Sequence, residues 1–174
     1  LDQEVVFSNQ WLSLPTAAAI IENYTLLALL ATSGGSTSAG LLNIDSTPTD
    51  NPEIRIGGLG VRAYWAGAYV ITNSVDTSTM KLIALEHTPG IKAELFVDGA
   101  SLTSGTRAGT LSPIREFTLG RYLRISVNRN GALKELIVFP TSTTNRQKAE
   151  GYIAHKWGRS ATLPVGHPYK VAPP

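Results

Sequence analysis

A sugar ring is held by an aromatic face it can stack on and by polar side chains at its edge that bond its hydroxyls. Tyr64 and Tyr69 lie on either side of Ala66-Gly67, and a two-residue turn at that dipeptide sets them opposite each other across a hairpin. Alternation along the strands then puts Arg62, Tyr64, Tyr69 and Ile71 on one face, and Val61, Ala63, Trp65 and Val70 on the other, toward the core. Asn73 and Asp76 follow closely and could bond the edge of a ring stacked on the tyrosines. The competing use of such a pair is structural, with Tyr64 and Tyr69 simply stabilising the hairpin.

Metal chemistry has one candidate. The stretch 43–53 contains Asp45, Thr47, Asp50, Asn51 and Glu53, hard oxygen donors of the kind calcium takes. Asp45, Asp50, Asn51 and Glu53 are the ligands expected if a cation is held here. The same composition also serves a solvated loop made polar by turn chemistry.

Acid and base catalysis is poorly served. Retaining glycosidases hold two carboxylates about 5 to 5.5 Å apart. Asp2 and Glu4 share a strand face at a terminus, Asp50 and Glu53 lie around a proline, and Glu94 and Asp98 are divided between a strand and its turn. No nucleophile-elbow motif accompanies the serines and histidines. The expectation is a protein that does not catalyse.

The elements that must position these residues are mostly short strands bounded by turn signals. Val5–Phe7 and Gln10–Leu14 read as strands about a Ser-Asn turn, and 15–22 as a brief helical turn. Tyr24–Ala31 is a continuous apolar run suited to a buried strand. Strands are expected at 40–44, 53–56, 59–65, 68–72, 80–88, 91–97, 117–121, 124–127 and 132–139. Asp98-Gly99 is the strongest hairpin signal, and it would let Leu95, Val97 and Leu102 share a face; His87, at a strand end beside a turn, is expected to face solvent or to pair with backbone. Together these give an all-β antiparallel sandwich.

One helix closes the chain, predicted at about 143–157. Ala149, Tyr152, Ile153 and Trp157 recur at helical spacing, while Arg146, Lys148, Glu150 and Lys156 fall off that stripe. Ser142 can cap its start and Gly158 can end it in the left-handed conformation. Gly151 would let the helix approach the sheet. Pro164 and Pro168 then keep the tail extended, strapped across the body by its apolar residues.

Composition sets outer limits. The 174 residues, 43% hydrophobic and with a net charge of +2, suit one globular domain spanning 1–174. Lys and Arg are scattered rather than striped, which argues against nucleic acid. Without cysteine there are no disulfides or thiolate sites. The longest apolar run, Tyr24–Ala31, is far shorter than the roughly 20 residues of a membrane helix, so a soluble protein is expected. A chain beginning at Leu1 reads as processed, or as a piece of something larger.

The ending also carries a resemblance. LKELIVFP (133–140), RQKAEGYIAHKWG (146–158), Leu163-Pro164 and HPYK (167–170), preceded by FVDGASLTSGT (96–106) and FTLGR (117–121), are similar to bacterial and phage laminin-G-like domains of the concanavalin A-like lectin and glucanase superfamily. The likeness runs from about Glu94 to Tyr169; Asn145 stands where that pattern has an acid. It implies a jelly-roll sandwich, structural roles for His155 and His167, and a place outside the cell, on a cell surface or on a virion. The Glu-x-Asp-x-x-Glu of laminarinase-type members is absent. A glycan partner is implied first, and protein partners in a surface or virion assembly second. No cofactor is implied beyond calcium, which some laminin-G-like domains bind at a sandwich rim.

Overall fold

The computed structural model describes residues 5–7, 12–20, 24–33, 42–45, 53–57, 60–65, 68–73, 75–88, 92–106, 114–119, 121–122, 127–128 and 130–174, with side chains described for 24–31, 71, 75–88, 92–106 and 131–174. Its strands are β1 (Val5–Phe7), β2 (Leu12–Ile20), β3 (Tyr24–Ser33), β4 (Leu42–Asp45), β5 (Glu53–Gly57), β6 (Gly60–Trp65), β7 (Ala68–Asn73), β8 (Lys81–Thr88), β9 (Lys92–Val97), β10 (Ala100–Gly105), β11 (Ile114–Leu119), β12 (Arg121–Tyr122), β13 (Val127–Asn128) and β14 (Asn130–Pro140). Helix α1 spans Thr143–Lys156, and a 3₁₀ turn follows at Ser160–Thr162. One six-stranded antiparallel sheet has the order β1-β14-β3-β8-β9-β10 and a second has β2-β11-β4-β5-β6-β7, while β12 and β13 form a small ribbon. This is an all-β sandwich with one C-terminal helix.

The first sheet is covered on both faces, which explains the unbroken apolar run in β3. Leu27 and Leu29 cluster with Leu82, Ala84 and Phe96 beneath Ile153 and Ala154 of α1 and Leu163 of the tail. The alternate residues Leu26, Ala28 and Leu30 are equally buried, with Ile83, Leu85 and Leu95 of the neighbouring strands. They face the second sheet, whose edge strand β7 packs against β9 and β10. Each fully buried leucine contributes roughly 1.5–3 kcal/mol relative to exposure.

Three sequence expectations change here. β1 and β2 do not form a hairpin, because β1 pairs with β14 in the first sheet and β2 with β11 in the second. The helical turn expected at 15–22 is largely strand, since β2 extends to Ile20; Pro15, which has no N–H to donate, sits on an edge strand where the register with β11 shifts. A bulge between Ser101 and Thr103 removes Leu102 from the face of Leu95, leaving it 46% exposed.

His87 is corrected too. It is buried, not exposed, and pairs in register with Tyr24, with the ring centroids 5.1 Å apart. Burial holds its imidazole down at about 4 and pushes the Tyr24 phenol up.

Helix α1 keeps its expected ends but turns a different face inward. Ser142 Oγ accepts from Asn145 N at 3.5 Å, and Gly158 adopts φ +65°. The buried residues are Arg146, Glu150, Gly151, Ile153 and Ala154, whereas Tyr152 is 44% exposed. Arg146 lies with its guanidinium carbon 3.6 Å from the centre of the Phe96 ring. Its Nε donates to Glu86 at 2.9 Å and its Nη1 to both oxygens of Glu150 at 2.7 Å. Two charges that fall off the apolar stripe are thus the centre of the contact. Burial raises the Glu150 carboxyl above its usual range, while Arg146 and His167 pull the other way.

The tail is strapped down as expected, but by polar as well as apolar groups. Leu163 and His167 are buried. Tyr169 N donates to His167 Nδ1 at 3.2 Å, so Nε2 carries the proton that faces Glu150 Oε2 at 3.1 Å. His155 Nε2 meets Tyr169 O at 2.9 Å and therefore donates to it. Gly151 serves this strap and not the sheet, because a Cβ there would stand 2.4 Å from Tyr169 Cβ. Asp98 (φ 49°) and Gly99 (φ 83°) form the expected turn, and Gly99 abuts Leu163, Pro164 and His167. Asp98 Oδ1 also accepts from Leu82 N at 3.1 Å, tying that turn to β8.

Two outcomes are expected in thermal and urea melts. Gly151→Ala should lower stability by about 1–3 kcal/mol by lifting Tyr169, whereas alanine in an unobstructed helix would raise it. The folded state binds His87's proton less tightly than the unfolded state does. Its stabilising contribution is therefore present above about pH 6.5 and lost as pH falls toward 4. That loss is on the order of 3 kcal/mol, and His87→Phe should flatten that part of the pH profile.

Candidate functional site

The second sheet is built from alternating rows. Across its six strands, Leu14, Phe117, Ile44, Ile54, Ala63 and Ile71 stand in one line of register partners, every one apolar. The next line reads Ser13, Thr118, Asn43, Arg55, Arg62 and Thr72, every one polar. Beyond it, Leu12, Leu119, Leu42, Ile56, Val61 and Asn73 are apolar except for the last. Successive residues of a strand belong to opposite faces, so the apolar rows share one face and the polar rows the other. Ile71, 1% exposed, identifies the apolar face as the one against the core.

The second polar row crosses the opposite end of the strands. Glu116 pairs with Asp45, Glu53 with Tyr64, and Tyr64 with Tyr69. Asp45 and Glu53 immediately flank the Ile44–Ile54 pair, so the ladder brings them side by side. The candidate sugar residues Arg62, Tyr64 and Tyr69 and the candidate metal residues Asp45 and Glu53, considered separately in the sequence, therefore share one sheet face. Asp50 and Asn51 lie outside the described residues.

Tyr64–Tyr69 and Trp65–Ala68 pair as the sequence predicts. Between Ala63 and Tyr64 the register shifts, so Ile71 pairs with Ala63. This bulge corrects the expected face of Ile71 and carries Asn73, opposite Val61, to the core-facing rows. Asn73 is thus separated from the tyrosines. Asp76 lies past the strand in an exposed turn, where its Oδ1 accepts from Ser78 N at 2.9 Å and that bonding holds its carboxyl below the usual range. Sequence inspection missed Arg55, Asn43, Glu116 and Thr118 as members of this face. Their signal was the polar alternation itself, which locates a face only once strand partners are known.

Among the described residues no group of three or more His, Asp or Glu is placed to hold a metal, and no helix is long and apolar enough to cross a membrane. A separate apolar groove of about 440 Å³ lies between β14 and α1, lined by Ile137, Phe139, Asn145, Lys148, Ala149, Tyr152 and Pro174.

Neither a protein-family model nor a curated protein matches the sequence. Solved structures match the fold. Domain 4 of AbnA, an extracellular arabinanase of family GH43 from Geobacillus stearothermophilus, in complex with arabinotriose, superposes with a TM-score of 0.62 at 14% identity, over 78% of this chain and 69% of that one. The CBM40 of Ruminococcus gnavus IT-sialidase, bound to α2,3-sialyllactose, gives 0.53 at 13% identity, over 71% and 79%. Trypanosoma rangeli sialidase in complex with sialic acid gives 0.56 at 14% identity, over 77% of this chain but only 23% of that larger protein. At these identities the likeness defines an architecture, the antiparallel β-sandwich.

Proposed function

We propose that this chain is a non-catalytic glycan-recognition module that presents the polar face of its second sheet to a carbohydrate on a cell surface. The carrying observation is the register that sets Tyr64 opposite Tyr69 at the edge of a face whose adjoining row, Ser13 to Thr72, is polar from strand to strand. Tyrosine offers an apolar ring for a sugar to stack on, and Asn43, Arg55, Arg62, Thr72 and Thr118 provide the hydroxyl-bonding chemistry around it. The sandwich neighbours seen with arabinotriose and sialyllactose support the reading by analogy of architecture. A laminin-G-like module on a bacterial surface protein or phage virion is the setting that the sequence resemblance favours. Calcium, if the face takes it, belongs between Asp45 and Glu53.

Binding of the purified chain to a glycan array, with calcium and with chelator, tests this reading. A hit is expected, weakened about tenfold, or about 1.4 kcal/mol, in Tyr64→Ala and in Tyr69→Ala, while Asn73→Ala leaves it unchanged. A blank array in both buffers would sink the glycan reading for the sugars displayed. The cross-strand Glu116–Asp45 pair makes hydrolysis the outcome to test against. Incubation with the bound glycan should release no new reducing ends.

A second reading, an assembly module that meets protein, is favoured by the apolar groove beside α1. A blank array together with a defined oligomer in sedimentation, disrupted by Tyr152→Glu, would establish it in place of the first.

A further inference from the structure

Within the polar grid, Arg55 stands directly opposite Arg62. Like charges in direct cross-strand register oppose sheet pairing, so this arrangement costs stability unless an anion answers it. Their partners within the row, Asn43 on one side and Thr72 on the other, are uncharged. The acids Glu53 and Asp45 stand one row away. On the opposite side of the arginines, two residues along each strand, the ladder ends in Gly57 paired with Gly60.

Three successive rows on one face therefore carry Tyr64 and Tyr69, then Arg55 and Arg62, then two glycines. Two residues of extended chain advance about 6.7 Å, close to the width of one sugar ring, and adjacent strands are about 4.8 Å apart. A ring at the tyrosine row thus has its substituents over the arginine row. Glycine adds no side chain beyond them, and glycine in a strand marks a place where a ligand can come close to the backbone. Two guanidiniums are the donors best matched to a planar carboxylate, which they bind through paired N–H groups.

From this juxtaposition we infer that the face selects acidic sugars, with the Arg55–Arg62 pair taking the carboxylate of a sialic or uronic acid residue. The inference rests on the glycan reading above and narrows it from carbohydrate in general to carboxylated carbohydrate. The pair accordingly determines specificity.

Calorimetric titration of the full chain with sialyllactose, oligogalacturonate, their carboxyl methyl esters, lactose and a sulfated lactose tests it. One of the two acids should bind, at least about tenfold more tightly than its own methyl ester, and the other acid serves to tell sialic from uronic specificity. Arg55→Gln and Arg62→Gln should each lose at least that factor, with a melting temperature equal to or above that of the parent chain. Equal binding of acid and ester, preference for the sulfated sugar, or a neutral sugar bound while both acids fail would overturn the carboxylate inference and leave glycan recognition standing. A lower melting temperature in Arg62→Gln with acid binding unchanged would overturn it as well, since the arginines would then be neutralised by Glu53 and Asp45. If neither these probes nor the array gives binding, both readings fall together.

Discussion

A guanidinium placed where water cannot reach it must be neutralised on the spot, and the C-terminal third of this protein is arranged around that requirement. Arg146 gives Nε to Glu86 of β8 and Nη1 to Glu150 of its own helix, over the ring of Phe96. Glu150 in turn faces His167 of the tail. Sheet, helix and strap are thereby joined through one set of charges, whose members lose their partners together if the helix shifts. Breaking such a buried pair from one side typically costs about 3–5 kcal/mol, because the charge left behind has no solvent to turn to. Hydrophobic burial supplies the bulk of the stabilisation, and the ion network fixes the orientation of the helix on the sheet.

The second sheet solves a different problem. It has one face that must be dry and another free to be polar, and alternation along the strands separates the two. The bulge between β6 and β7 interrupts that alternation. It keeps Tyr69 opposite Tyr64 while returning Ile71 to the core, so an aromatic pair is held at the sheet edge without exposing isoleucine.

Much of the fold was legible in the sequence because it was written in local chemistry. Ser142 and Gly158 mark the helix ends, Asp98-Gly99 marks a turn with positive φ, and Tyr64 pairs with Tyr69 as their spacing in the sequence predicts. What stayed hidden depends on partners far away in the chain. Arg146 and Glu150 look like surface residues until Glu86, sixty positions before Arg146, is seen to face that arginine. Gly151 reads as a site of helix-to-sheet contact until Tyr169 is found lying on it. The grid of Asn43, Arg55, Arg62 and Thr72 exists only across four strands, so no window of sequence could display it. Single-residue bulges were equally invisible, and each moved a residue, Ile71 or Leu102, to the opposite face.

The strap also sets how the molecule can be held. It lies with α1 against the face of the first sheet that is turned away from the second sheet, and Pro174 comes to rest beside Ile137, Phe139 and Tyr152 on that side. The polar grid belongs to the opposite side of the sandwich. Any partner that reached the grid would therefore approach from the side opposite the strap, and the two ends of such an encounter would not compete for the same surface.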